Sequence, residues 1–269
     1  MSLESKELQN ELTETIRLLE AEIPANPAAP KNESIEKGLE RSLRKYFKHL
    51  DDAVSIEGLE RIYNRNVSFE EAMTPAKWRA EYKDGVPHWA KDKKPSLFAE
   101  EFIKSMKSHK VNSVLEIGCG NGRDSILFAK SGLDATAIDV VPKAVELAKS
   151  NAEKAKANID FRVANAEKLP FDDSSFGAVF SLSVLHSSDL KKSMTEIYRV
   201  MKEGGIAFVY IYGDTQFEDK KTEDTIKWTE YLELLKGLGF KVTKSYTENE
   251  TEYDEFGEKH KIFVTYLEK

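Results

Sequence analysis

Glu116, Gly118, Gly120 and Gly122 place one acidic residue and three glycines at alternate positions, where a short apolar run gives way to a helical pattern. The run reads Val114-Leu115-Glu116-Ile117-Gly118-Cys119-Gly120-Asn121-Gly122-Arg123-Asp124-Ser125. Glycine lacks a Cβ, so the backbone turns sharply there and a ligand lies directly against main-chain N–H groups. The helix that follows, expected over roughly 121–131, aims its N-terminal dipole and unpaired N–H donors into the same turn. These residue types at this spacing make a ligand loop. A dinucleotide loop requires Gly-x-Gly-x-x-Gly, whose third glycine permits close helix–strand packing. Counted from Gly118 that third position is Arg123, and counted from Gly120 it is Ser125, so the spacing speaks against a nicotinamide dinucleotide.

The elements that position this loop follow from periodicity. Phe98, Phe102 and Met106 suit a helix leading into a strand at Ser113–Ile117. Further strands are expected at Ala135–Ile138, Ile159–Val163, Gly177–Leu182 and Ile206–Tyr212, the last fully apolar as a central parallel strand should be. Pro142 opens a helix over 142–155 at a favoured first-turn position. Leu190, Met194, Ile197 and Met201 make a helical stripe that Gly204-Gly205 is expected to stop. Trp228, Tyr231, Leu232 and Leu235 mark another helix, and two strands near Phe240–Tyr246 and Lys261–Tyr266 form a closing antiparallel hairpin. Strand–helix alternation with right-handed crossovers predicts an α/β fold with a doubly wound, mostly parallel seven-stranded sheet.

The first third reads differently. Leu8, Leu12, Ile16 and Leu19 share one helical face; Pro24, Pro27 and Pro30 break the chain; Ile35, Leu39, Leu43, Tyr46, Phe47 and Leu50 make a second amphipathic helix, and Ile56, Leu59, Ile62 and Tyr63 a third. The expected division is a helical extension over 1–70, with a possible homodimer through its helices, and an α/β domain over 71–269.

Composition narrows the function classes. At 269 residues, 40% hydrophobic and 32% charged, the chain reads as a soluble globular protein. No stretch reaches bilayer-spanning length and no secretory signal is visible, so no membrane association and a cytoplasmic location are expected. Cys119 is the only cysteine, which excludes an intramolecular disulfide and fits a reducing compartment. A net charge of −7 argues against a nucleic-acid partner. No His, Cys or carboxylate spacing suggests a metal.

The glycine run resembles the first motif, Glu-x-Gly-x-Gly-x-Gly, of S-adenosylmethionine-dependent methyltransferases with a Rossmann-like fold. Ala164-Asn165-Ala166-Glu167-Lys168-Leu169-Pro170-Phe171 is similar to the Asp-Ala-Glu-x-Leu-Pro-Phe segment of the ubiquinone and menaquinone C-methylases, and Glu196–Gly205 matches that family's helix and glycine turn. The resemblance implies S-adenosylmethionine as cofactor. It places the backbone of Gly118, Cys119, Gly120 and Asn121 against the methionine portion, with Glu116 near the amino group. Asp139, followed by Val140, ends the second strand, where a carboxylate accepts hydrogen bonds from both ribose hydroxyls. Asn165 replaces the family's aspartate, and its carbonyl accepts from the adenine amino group without bringing charge; Ala166 and Glu167 flank it. Ser181 and Leu182 line the methionine arm. A second segment, Trp78–Trp89, looks like the Trp-rich lead-in of thiol, halide and tellurite methyltransferases, so Trp89 is expected over the sulfonium.

Methyl transfer is an in-line displacement, and the sulfonium already supplies the leaving group. Alignment and exclusion of water are the protein's main tasks. His186, after the fourth strand, and Tyr212, after the fifth, are the candidate catalytic residues. Amino-methylases of adenine and cytosine carry Asn/Asp-Pro-Pro-Tyr/Phe, which Ser183-Val184-Leu185-His186 is not, and cytosine C5 methylation needs a cysteine nucleophile, whereas Cys119 sits in the ligand loop as an apolar filler. The expected function is methyl transfer to a small-molecule thiol, oxygen or carbon acceptor. The alternative is a non-catalytic cofactor-binding domain with a helical partner-binding arm.

Overall fold

Strand β1 (Ser113–Ile117) lies between two parallel neighbours, and the chain's excursion to either side of it sets the architecture. The computed structural model describes residues 78, 82, 85–87, 90–217, 220–221, 226–249 and 258–269. The chain divides into two compact units, Met1–Lys83 with Glu255–Gly257, and Asp84–Asp254 with Glu258–Lys269. The helices expected in residues 1–70 lie outside the described residues, as does Trp89.

Within the second unit, helix α1 (Leu97–Ser108) leads into β1, followed by α2 (Arg123–Lys130), β2 (Asp134–Asp139), α3 (Pro142–Ala155), β3 (Asp160–Val163) and β4 (Phe176–Leu182). A 3₁₀ turn (Leu185–Ser187) precedes α4 (Leu190–Val200), β5 (Met201–Phe217), the two-residue β6 (Lys220–Lys221), α5 (Trp228–Gly237), β7 (Lys241–Asn249) and β8 (Glu258–Glu268). Seven strands run in the order β3-β2-β1-β4-β5-β8-β7, and β6 pairs with β5 off this path. From β3 to β5 all pairings are parallel; β8 enters antiparallel between β5 and β7. The doubly wound sheet and its closing hairpin are as expected. Strand order reverses between β1 and β4, and a crevice for ligands opens at such a switch point.

Alternation across the sheet makes two cores. Leu115, Val179 and Val209 face Met194 and Ile197 of α4 and Tyr231 and Leu235 of α5. Val114, Phe180 and Phe208 face Phe102 and Met106 of α1 and Phe128 of α2. Phe180 and Phe208 stack with centroids 4.9 Å apart, and Phe128 meets Phe180 edge-on at 5.3 Å. Each such fully buried side chain contributes roughly 1.5–3 kcal/mol. This is the rigid floor under the strand ends.

Two helix boundaries differ from expectation. Helix α2 begins at Arg123 because Gly122, at φ +79°, is its left-handed N-cap. Helix α4 stops at Val200, and Met201 already pairs with Phe176 in the sheet. Gly204-Gly205 therefore does not end the helix. It follows a shift of register between Phe176 and Ala178, where a Cβ on Gly205 would lie 2.7 Å from the Lys202 carbonyl.

Candidate functional site

The glycine loop is held to the second strand by its own backbone. Gly118 N–H and Cys119 N–H both donate to the Ile138 carbonyl, at 2.8 and 2.9 Å. Gly118 has φ +77°, and a Cβ there would run into the Val184 side chain. Glycine at this position thus lets the loop after β1 meet the loop after β4 at the switch point. Cys119 is buried with Ala137, Val145, Ala148, Ala152 and Phe161, and burial pushes its thiol up. Its side chain is packing, which leaves only its backbone to a ligand.

Asp139 ends β2 and closes on the same loop. One carboxylate oxygen accepts the Gly120 N–H and the other the Val141 N–H, each at 2.9 Å. Each oxygen keeps lone-pair capacity for a further donor. Burial raises its pKa, and the backbone N–H donors work against that rise. Asp139 is not the cap of α3: Val141 is the N-cap, without a side-chain cap bond. The carboxylate is therefore held beside the loop, two hydroxyl-sized acceptors wide.

Glu116 is only 5% exposed and accepts from the Ser125 hydroxyl. Its carboxyl lies well above the usual range because of burial and then the neighbouring charge of Asp124. Asp124 accepts the Ser96 N–H at 2.6 Å, fastening the start of α1 to the first turn of α2. Both acids are buried beneath the glycine loop, where burial favours their uncharged forms.

The Asn121 side chain has a structural role that the sequence did not suggest. Its side-chain amide donates to the Ala90 and Asp92 carbonyls, at 2.7 Å each, and its amide oxygen accepts the Arg123 N–H. Its own carbonyl accepts from Asn151 at 3.0 Å. What Asn121 keeps for a ligand is its backbone N–H. The chain at Ala90–Asp92, directly after the Trp-rich segment, is thereby pinned to the glycine loop; Trp89 itself is outside the described residues.

The loop after β3 is a small built turn. Asn165 Oδ1 accepts the Glu167 N–H at 2.9 Å, so one of its two lone pairs is committed. Glu167 Oε1 accepts the Asp189 N–H at 3.0 Å, at the N-cap of α4. Ala166 and Leu169 turn into the core. Leu169 N–H donates to Glu196 at 2.7 Å, and Arg199 donates to the carbonyls of Leu169 and Phe171 at 3.0 and 2.8 Å. These two α4 residues received no role from the sequence. Their (i, i+3) Glu–Arg spacing was the available signal.

At the end of β4, Ser181 is fully buried with its hydroxyl unpaired among the described residues, and Leu182 is half-buried. Ser183 follows at φ +59°, where its N–H donates to the Tyr210 carbonyl. Left-handed backbone on a non-glycine residue costs about 1–2 kcal/mol and gathers at functional loops. His186 stands in the next turn, its ring 4.6 Å from that of Tyr212 on β5. The two catalytic candidates are thus brought together. Among the described residues no group of three His, Cys, Asp or Glu side chains forms a metal site, and no helix is long and apolar enough to cross a membrane.

Residues 115–209 match the methyltransferase domain family. A sterol 4-C-methyltransferase of Caenorhabditis elegans is 30% identical over 181 residues, covering 62% of this chain and 54% of that protein. A demethylmenaquinone methyltransferase of Chlorobaculum tepidum is 33% identical over 113 residues, 41% of this chain and 45% of that protein. The chain spans about half the length of these curated relatives. Among solved structures, the YcgJ protein of Bacillus subtilis aligns with a TM-score of 0.52 at 17% identity, over 64% of this chain and 97% of that one. That likeness establishes the fold.

Proposed function

We propose, from the match of residues 115–209 to the methyltransferase domain family, that this chain transfers a methyl group from S-adenosylmethionine to a small-molecule acceptor. The observation that carries this reading is Asp139, its two oxygens fixed by Gly120 and Val141 beside a left-handed glycine turn at the switch point. A vicinal diol needs two neighbouring acceptors, and a carboxylate held edge-on supplies them. In this reading the sugar sits at the end of β2, the base at the end of β3 against Asn165, Ala166 and Glu167, and the amino-acid arm between β1 and β4, a path that follows the strand order β3-β2-β1-β4. The backbone of Gly118, Cys119, Gly120 and Asn121, the buried carboxyl of Glu116, Val140, and the Ser181–Leu182 end of β4 border that path. Trp89 is proposed to cover it.

When bound, the sulfonium supplies an electrophilic methyl group and a neutral thioether leaving group. The chain's contribution is alignment, worth on the order of 7–11 kcal/mol in favourable cases. His186, against Tyr212, is proposed to take the proton from an acceptor that holds one tightly, which adds roughly 10²–10⁴-fold. A thiolate needs no such help.

The test is transfer of a labelled methyl group by the full chain to a panel of thiols, phenols, carboxylates and carbon acids. Label on an acceptor with wild type, and none with Asp139→Ala, is the expected result. Binding of S-adenosylhomocysteine without transfer to any acceptor would overturn the enzymatic reading in favour of a cofactor-binding module.

A further inference from the structure

The loop after β3 is not merely adjacent to α4; it is hung along one side of it. Three points of attachment fall at Asp189, Glu196 and Arg199, seven and then three residues apart, which is a single face of a helix. At the first, the Asp189 N–H donates to Glu167 at 3.0 Å. At the second, Glu196 Oε2 accepts the Leu169 N–H at 2.7 Å. At the third, Arg199 makes five donor contacts. Its Nε and Nη2 hold the two oxygens of Glu196 at 2.7 and 2.8 Å, and Nη2 also reaches the Leu169 carbonyl at 3.0 Å. Its Nη1 reaches the Phe171 carbonyl and the Asp173 carboxylate, both at 2.8 Å. A guanidinium has five N–H donors in one plane, and all five are engaged. The Arg199 carbonyl in turn accepts the Ser174 N–H at 3.0 Å.

Such a concentration of charge-assisted bonds on main-chain atoms is more than a surface ion pair provides. An exposed Glu–Arg pair on a helix contributes little by itself. Here the pair is spent on fixing backbone, over Leu169–Phe171, directly after the Asn165–Glu167 turn. Asn165 discriminates a base only if its amide group is held within a few tenths of an ångström, since hydrogen bonds weaken steeply with angle and distance. The Asn165–Glu167 bond, the 3.1 Å bond from Lys168 N–H to the Asn165 carbonyl, the 3.0 Å bond from Ala164 N–H to the Asp139 carbonyl and the burial of Ala166 hold the turn locally, and α4 holds the segment that follows it.

We propose that Glu196 and Arg199 are positioning residues that set the base-reading turn Asn165–Glu167, so that the discrimination for adenine is exercised from helix α4. The proposal rests on the nucleoside reading given above. Lysine cannot replace Arg199, because a single ammonium has three donors, no fork, and no reach to two carbonyls and a carboxylate together.

The test is calorimetric titration of the full chain with S-adenosylhomocysteine and with its hypoxanthine counterpart, S-inosylhomocysteine, alongside thermal melting. Wild type is expected to prefer the adenine ligand. Arg199→Lys should weaken that ligand by about tenfold, as losing the adenine hydrogen bond to a displaced Asn165 would, and leave the hypoxanthine ligand nearly unchanged, so the ratio shrinks toward one. Glu196→Gln, which keeps an acceptor for Leu169, should fall between, and it carries the test alone if Arg199→Lys does not fold. A purely structural role would lower the melting temperature while the ratio stayed at the wild-type value; that result overturns the proposal. So would a wild type that bound both ligands alike. A wild type that binds neither overturns the nucleoside reading itself, and this inference with it.

Discussion

The side-chain amide of Asn121 donates to the Ala90 carbonyl at 2.7 Å, joining positions 31 residues apart, and the same nitrogen holds the Asp92 carbonyl. The ligand loop is therefore tied to the Ala90–Asp92 stretch of the same unit. Replacing Asn121 by alanine leaves two carbonyls without their donor, at a cost of about 1–3 kcal/mol. We expect Asn121→Ala to lower the melting temperature by several degrees and to weaken S-adenosylhomocysteine more than it weakens the fold. A variant with wild-type affinity after correction for its folded fraction would show that the link has no bearing on the site.

Asp139 predicts a dependence on hydroxyl groups. Removing a ribose hydroxyl from S-adenosylhomocysteine should weaken wild type by about tenfold, the size of one charge-assisted hydrogen bond. Against Asp139→Ala the same ligand change should cost little. Equal losses in both proteins, measured as a double cycle, would place the sugar elsewhere.

The buried acids predict a pH dependence of stability. Glu116 and Asp124 both have folded-state pKa values above their ordinary range, Glu116 through burial and the Asp124 charge, Asp124 through burial. A carboxyl with a raised folded pKa binds its proton more tightly when folded, so stability is fullest below the ordinary carboxylate range and declines as pH rises toward the folded value. The slope reaches about 1.4 kcal/mol per pH unit for each such group. Melting curves of the ligand-free protein from pH 5 to 8 should therefore fall with pH. Glu116→Gln, which still accepts from Ser125, should flatten the curve. An unchanged slope in that variant would contradict the assignment.

Gly118 is constrained twice, by φ +77° and by Val184. Alanine there meets a left-handed penalty of about 1–2 kcal/mol and a steric one besides. Gly118→Ala should destabilise strongly, and adding Val184→Ala should restore part of the loss but not all. Full restoration would mean that the backbone conformation is not strained.

His186 and Tyr212, with rings 4.6 Å apart, predict a split between acceptors. His186→Gln should lower kcat on the order of 10²-fold or more for an oxygen acceptor, with little change in cofactor affinity. A thiol acceptor, already ionised in part at neutral pH, should lose far less. Equal loss for both would make His186 a packing residue.

The central strands were legible as short apolar runs buried on both faces, and the crossover helices as apolar stripes repeating every three to four residues. The glycine turn and Asp139 were legible because each sits where a strand ends and a helix begins. What was not legible is contact across distance. The sequence contains Asn121 but not its partner 31 residues earlier. It shows Glu196 and Arg199 as a helical pair, yet the carbonyls that Arg199 holds lie 28 and 30 positions away and the N–H that Glu196 accepts lies 27 away. It also invites Met201 into α4, where its apolar period fits; pairing with Phe176 overrides that period and begins β5 instead.

The central claim is that a nucleoside sulfonium lies against the Gly118–Gly122 turn with its sugar on Asp139. Its most direct test is isothermal titration of the full chain, wild type and Asp139→Ala, with S-adenosylhomocysteine. The account predicts stoichiometric heat with wild type and at least a tenfold weaker Kd with the variant. Folded wild type that releases no heat with this ligand, or a variant that binds it equally well, would contradict the account.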